Sequence, residues 1–555
     1  MTRLPSRLLL LLLLVPLALH AASPLPRESL PTLELPAYTT PPDSEIELPP
    51  LPPEWLGERP AGLHFTLRKI HFSGNRAIND EALHALLAPY HNQRVNIADL
   101  EEMRLALTRH YIAAGYINSG AILPDQPIRN GEVTFHLYEG RLDQVRIRGQ
   151  GRLREAYLLQ RLGSDQEILH IGRLQQRFQQ LLSDPLIERL NGALHPGVQP
   201  GEAWLDLEVT RAKPYQLGVT LDNHRTPSVG EQSLRLDGEL HNLSGWGDRL
   251  ALEFSASEGV KEGNLRWRLP VGHRPATLTL GLEGSETSVV EGVLARAGVN
   301  IRSRFSALHL GYQWPLLQQL EQRLLLGVAF DLRTSNTRFF DGRGYPAAAG
   351  IEEDGAARTR VLRFSQEYSQ RDSTNAMALR STFNLGTPWF DATRHPSGPD
   401  GRYLSWIGQG RYAHRFSDHG QLLLTTSLQW SDRSLLPQER LAIGGAKSVR
   451  GYRENQQVRD QGGFLSVEYR RPLESGLGQQ PGELHWALFA DGGKGWNRGQ
   501  FRDEKPLTSV GAGLLWQYQR LRAELYLAKA LTAPPASDGY SLQDDGIHLR
   551  LRAEW

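Results

Sequence analysis

The sequence predicts a transmembrane β-barrel of sixteen antiparallel strands preceded by two small periplasmic α+β units. Three observations carry that reading. After Pro214 apolar and polar residues alternate, as in Leu250, Leu252, Phe254 and Ala256 against Ala251, Glu253 and Ser255, the pattern of a strand with one face to lipid and one to water. Before Pro214 an arrangement of strand, two helices and two strands recurs after about 75 residues. Hydrophobic residues make up 40% of the 555, and their one long run is at the N-terminus. A polytopic helical transporter needs about 20 apolar residues per span, so that class is excluded.

Composition narrows the function further. Sixty-two basic against 61 acidic side chains give no global attraction to nucleic acid. The absence of cysteine excludes disulfide frameworks, thiolate metal sites and a cysteine nucleophile. Fifty-four glycines with 17 tyrosines and 12 tryptophans suit a barrel of many turns with interfacial aromatics.

Arg3 and Arg7 precede the apolar stretch from Leu8 to Leu19, and Ala21, Ala22 and Ser23 follow. This is the order of a secretory signal, assigned to residues 1–22. Residues 23–62 then carry eleven prolines, from Pro24 to Pro60, a density that removes amide donors and favours extended chain. We read them as a periplasmic tether.

The first unit, residues 63–140, opens with the alternating run FTLRKIHF at 65–72. Helical patterns follow at Asp80–Leu87 and Ala98–Ala114, then extended runs at Ser119–Leu123 and Glu132–Tyr138. Leu100, Met103, Leu107 and Tyr111 form one apolar stripe, assigned to the core. The second unit, residues 141–212, repeats the order with LDQVRIRG from Leu142, helices at Leu153–Leu162 and Ile171–Leu182, and strands at Leu190–Leu194 and Ala203–Val209. Each leaves a sheet edge to which an extended peptide could add as a further strand.

The barrel, residues 213–555, is counted from runs beginning near Gln216, Ser233, Arg249, Asn264, Ala276, Phe305, Gln322, Arg358, Asn375, Arg402, Gln421, Gly463, Glu483, Leu507, Leu521 and Gly546. An even count lets the ends pair antiparallel and satisfies every backbone group. In the last run Ile547, Leu549, Leu551, Ala553 and Trp555 alternate with His548, Arg550, Arg552 and Glu554, so a wet, charged lumen is expected. Between the eleventh and twelfth strands, residues 433–462 are too many for a hairpin turn. They hold Ile443-Gly444-Gly445-Ala446-Lys447-Ser448-Val449-Arg450-Gly451-Tyr452. A guanidinium fork inside a lumen needs carboxylate partners, and Glu468 and Asp491 on the following strands are the candidates.

These residues resemble a known family. Leu107, Tyr111, Gly115, Tyr116, Ala121, Pro124, Gln126, Gly131, Glu139 and Gly140 resemble the first polypeptide-transport-associated (POTRA) domain of two-partner secretion transporters. Leu194-His195-Pro196-Gly197 with Gly201, Leu205 and Val209 resembles the second. The turn Asn242-Leu243-Ser244-Gly245-Trp246-Gly247-Asp248 is similar to their N-P-L-G-x-G-D turn. The early D-N-x-G motif is less faithful, because Asp222-Asn223-His224-Arg225 lacks the glycine. The resemblance is to the TpsB transporters of the ShlB/FhaC/HecB haemolysin secretion/activation type, within the BamA/TpsB superfamily.

It implies that Val449, Arg450, Gly451 and Tyr452 form the tip of a loop folded back into the barrel. Asp491 and Gly493 would form the matching D-x-G strand motif, with Glu468 and Phe489 as neighbours. It also implies a Gram-negative outer-membrane pore that secretes one large TpsA-type exoprotein, whose N-terminal secretion domain binds the POTRA repeats. The terminal aromatic Trp555 resembles the signal read by the barrel-assembly machinery during biogenesis. Many relatives carry a plug helix near the N-terminus; prolines at 24, 26, 31 and 36 leave little uninterrupted helix for one here. No G-x-S-x-G, G-x-x-x-x-G-K-[ST] or H-E-x-x-H motif occurs, so no catalytic residue, cofactor or metal is expected. The alternative function is a BamA-type factor that assembles other barrels, and a passive porin would leave the repeats without a purpose.

Overall fold

The computed structural model describes residues 33–38, 46–48 and 64–555, the last with breaks at 164–166, 273–275, 297, 299, 340–341, 345, 347, 397, 474–481, 499, 501–503 and 536–538. The expected signal at 1–22 and most of the expected tether lie outside the described residues. The chain forms two compact units, Pro41–Pro214 with Ser244–Gly247 and a barrel unit from Tyr215 onward that includes 33–38.

In the first unit β1 (Ile46–Glu47) pairs parallel with a later strand, and β2 (Phe65–Thr66) and β3 (Lys69–Ser73) follow. The sequence predicts one strand over 65–72. It is broken because the amides of Arg68 and Lys69 both donate to the carbonyl of Gly131, at 2.8 and 3.2 Å, so the chain kinks there. Next come α1 (Asp80–Leu87), β4 (Arg94–Val95), α2 (Ile97–Ala113), β5 (Gly120–Ile122) and β6 (Glu132–Tyr138). Asn96 and Asp99 cap α2 reciprocally, side chain to amide, at 3.1 and 2.8 Å. Leu100, Met103, Leu107 and Tyr111 are all at most 2% exposed, each contributing about 1.5–3 kcal/mol by burial.

The second repeat comprises β7 (Arg141–Arg148), α3 (Glu155–Leu162), α4 (Ile171–Leu182), β8 (Ile187–Pro196) and β9 (Glu202–Arg211). Its pairing repeats the first: β3 runs parallel to β6 and β5 antiparallel to it, while β7 runs parallel to β9 and β8 antiparallel to it. Leu174, Phe178 and Leu181 of α4 cover the second sheet. Ile46, of the stretch read as tether, packs into this core, and β1 adds to the edge at β8.

The barrel wall has sixteen antiparallel strands: β10 (Tyr215–Asp222), β11 (Ser233–His241), β12 (Arg249–Ala256), β13 (Val260–Val271), β14 (Ala276–Ser288), β15 (Ile301–Gln318), β16 (Gln322–Phe339), then, after the two-residue β17 (Arg343–Gly344), β18 (Ala356–Arg371), β19 (Asn375–Gly386), β20 (Leu404–Arg415) and β21 (Gln421–Ser431). Two short strands in the long loop, β22 (Leu441–Ile443) and β23 (Gln457–Arg459), pair with each other. The wall resumes with β24 (Gln461–Pro472), β25 (Glu483–Trp496), β26 (Leu507–Tyr518), β27 (Leu521–Ala530) and β28 (Ile547–Glu554). It closes where β28 pairs with β10, from Gly218 opposite Glu554 to Asp222 opposite Arg550.

The wall strands alternate as their period requires. Leu549 and Leu551 are exposed outward, while His548, of the opposite parity on the same strand, is fully buried. Inside the barrel, a cavity of about 860 Å³ is lined by inward wall residues, by the long loop and by Leu33. The described piece 33–38 is held by the wall: Arg411 donates to the Leu33 carbonyl at 3.1 Å, Arg371 to that of Ala37 at 3.2 Å, and Gln421 to the Tyr38 hydroxyl at 2.8 Å. Both described pieces of the expected tether are thus packed against structured elements, because their few apolar residues and free carbonyls find partners.

Candidate functional site

The connection between β21 and β24 folds inward, and its tip meets the facing pair β24 and β25. Register places the partners. Ser466 lies opposite Asp491 and Glu468 opposite Phe489, and residues two apart on a strand share a face. Ser466, Glu468, Phe489, Asp491 and Gly493 therefore line one inward patch.

Arg450 enters this patch with 5% of its surface exposed. Its Nε and Nη2 donate to the two oxygens of Asp491 at 2.8 and 2.9 Å, and its backbone amide donates to Asp491 Oδ2 at 3.1 Å. Nη1 donates to Glu468, and Nη2 to Ser466 Oγ at 3.1 Å. The guanidinium lies over the Phe489 ring, 3.5 Å from its centroid, adding cation–π attraction. Glu468 is shared with Arg470 and accepts from the Tyr526 hydroxyl at 3.1 Å. Two arginines and two carboxylates balance, and nearly every polar atom has a partner. Such a charge-balanced, bidentate cluster holds the loop tip in one position.

The neighbours of Arg450 lock the tip by shape. Val449 is fully buried with Leu441, Ile443, Tyr452 and Leu507. Gly493 admits them: a Cβ there would stand 2.9 Å from Phe464 Cβ and 3.0 Å from both Ile443 Cγ2 and Val449 Cγ2. Gly451 takes φ +85°, a conformation L side chains rarely adopt, and its amide donates to His548 Nε2 at 3.0 Å. The Tyr452 hydroxyl lies 2.9 and 2.8 Å from the Thr508 and Thr532 carbonyls and accepts from the Thr508 amide at 3.1 Å.

All eight residues singled out from sequence therefore come together: Val449, Arg450, Gly451 and Tyr452 on the loop, and Glu468, Phe489, Asp491 and Gly493 on the wall. Sequence reasoning missed Ser466, Arg470, Tyr526 and His548. Ser466 and Arg470 flank Glu468 at spacing two and were legible on that ground. Tyr526 and His548 belong to later strands, and nothing local marks them as neighbours of Arg450.

The family model for the haemolysin secretion/activation protein ShlB/FhaC/HecB matches residues 201–515, and that for the ShlB-type POTRA domain matches residues 65–140. The chain is 25% identical over 463 residues to the outer membrane transporter CdiB of Dickeya dadantii, covering 81% of this chain and 79% of that one. It is 23% identical over 490 residues to the heme/hemopexin transporter protein HuxB of Haemophilus influenzae, covering 82% and 81%. The solved structure of CdiB from Escherichia coli superposes with a TM-score of 0.67 at 21% identity, covering 90% of this chain and 93% of that one, which is a likeness of fold. With a closed sixteen-stranded wall, two repeats of one topology and a family model spanning more than half its length, the chain belongs to the ShlB/FhaC/HecB family of haemolysin secretion/activation proteins.

Proposed function

We propose that this protein is the outer-membrane pore of a two-partner secretion pair and passes one large exoprotein to the cell exterior. The observation that carries the reading is the inserted loop tip, held by Arg450 between Glu468 and Asp491 inside a barrel that bears two POTRA-type repeats. The inserted loop and Leu33 stand at the lumen cavity of about 860 Å³, so passage of a large chain requires the loop to move. The repeats recruit the exoprotein's N-terminal secretion domain, by addition of an extended segment to a sheet edge. No nucleotide is available outside the inner membrane, so folding of the exoprotein outside drives export. The last wall strand, β28, is the segment read by the barrel-assembly machinery when the protein itself is inserted.

Arg450→Ala tests the loop: secretion falls by an order of magnitude or more while folded barrel persists in the membrane, and undiminished secretion overturns its role. Comparing the host's extracellular and outer-membrane proteomes with and without the gene tests the function. Loss of one large exoprotein with other barrels unchanged supports the transporter; depletion of several barrels with no missing exoprotein supports an assembly factor instead.

A further inference from the structure

The inserted loop is held at a second place, on a different part of the wall. Its foot, just after β21, sends Leu435 against Val361 and Tyr403, and Leu436 against Ile351 and Ala357. Immediately beyond lies Glu439, whose side chain is 6% exposed. Arg363 of β18 donates to its two carboxylate oxygens at 3.0 and 3.3 Å, and Thr359 Oγ1 donates at 3.2 Å. Arg333 of β16 stands 3.6 Å away. Arg363 is itself fixed by Asp331 at 2.5 Å and by Asn384 Oδ1 at 2.7 Å. The main chain is stapled too: Gln429 donates to the Glu439 carbonyl at 3.0 Å, and Gln438 to that of Ala357 at 3.2 Å.

This cluster shares no residue with the one around Arg450, and β18 lies five strands around the wall from β25. Leu435 and Leu436 already supply packing, and packing alone tolerates sliding, whereas a buried multidentate carboxylate accepts one register. We infer that Glu439 is a positioning residue: it fixes the foot of the loop to β16 and β18, so that the tip held by Arg450 can leave and return while the foot stays in place. The inference rests on the secretion reading only for its consequence, and the geometry can be measured without cargo.

The chain has no cysteine, so spin-label pairs can be introduced into the full-length protein in outer-membrane vesicles. One pair, Ser434→Cys with Thr382→Cys, reports the foot; another, Ala446→Cys with Thr425→Cys, reports the tip. Ser434 is half-buried beside Leu435 at the foot, and the other three positions line the lumen cavity. Arg450→Ala is expected to broaden the tip distances and leave the foot distances narrow. Glu439→Gln is expected to broaden the foot distances and lower secretion several-fold, while Glu439→Asp, which keeps the charge, restores much of both. Unchanged foot distances in Glu439→Gln overturn the inference, as does release of the foot by Arg450→Ala. Should Glu439→Gln fail to assemble, Thr359→Val removes one bond of the same carboxylate. It must then broaden the foot distances in part, and an unaltered distribution overturns the inference equally. If the distances behave as expected but secretion persists in Arg450→Ala, the loop's proposed role in export fails and the foot clasp stands.

Discussion

Arg450 is the residue whose chemistry can least be replaced. Its fork reaches Asp491 through two parallel bonds while a third nitrogen meets Glu468, a geometry a lysine ammonium cannot reproduce. Arg450→Lys should therefore behave nearly as Arg450→Ala, with loss of about 3–5 kcal/mol of loop seating. The check is the rate at which trypsin cuts at Lys447 in the folded barrel, which rises about tenfold per 1.4 kcal/mol if opening precedes cleavage. Gly493→Ala acts through shape alone. The new methyl meets Phe464, Ile443 and Val449 at 2.9–3.0 Å and should unseat the tip by about 1–3 kcal/mol, with the same tryptic readout. The carboxylates were legible because an inward arginine in a lumen requires them and few inward acids were near in sequence. Tyr526 and His548 were not, since they lie 58 residues beyond Glu468 and 97 beyond Gly451, and only closure of the wall sets them beside the tip.

At the scale of elements, period is what made the structure readable. The helices Asp80–Leu87 and Ile171–Leu182 fall as their apolar spacing predicts, and Ala98–Ala114 is displaced by one residue to Ile97–Ala113. What escaped were elements without period. The strand expected over 65–72 is split by two hydrogen bonds to Gly131, and β22 and β23, three residues each, are too short to show alternation.

Within the first repeat the Tyr111 hydroxyl donates to Glu139 at 3.1 Å, and Glu139 accepts from the Arg76 and Ala77 amides at 2.6 Å each. Helix, sheet and loop thus meet at one carboxylate. Burial, then the charge and hydrogen bond of Glu139, push the Tyr111 hydroxyl above its ordinary value of 10.0. A raised pKa means that the unfolded chain ionises first, so this contribution is complete below pH 10 and is lost as pH rises above it. Tyr111→Phe should cost about 1 kcal/mol near neutrality and remove that alkaline loss. Thermal unfolding of the full-length protein against pH checks both, and a wild-type profile flat above pH 10 would refute the coupling.

The whole barrel depends on one seam joining residues more than 300 apart. Arg552 of β28 crosses it, donating to Asp237 of β11 at 2.8 and 2.9 Å and to Thr220 of β10 at 2.9 Å. Arg552→Ala should weaken closure by about 1.5–3 kcal/mol. The readout is the temperature at which the barrel loses its compact electrophoretic form in detergent; a rise, or no change, would mean that the backbone pairing alone sets the seam. The sequence by itself determined the sixteen strands, the duplicated N-terminal units and the acids able to answer Arg450. These follow from local periodicity and from the cost of burying a charge alone, and both are written within tens of residues. Only the tertiary structure decided that residues 33–38 lie against the wall, that Tyr526 and His548 join the tip, and that Glu439 clasps Arg363 on a separate part of it. Those contacts depend on how far each strand is staggered around a closed barrel, a geometric sum over all sixteen that no local pattern carries.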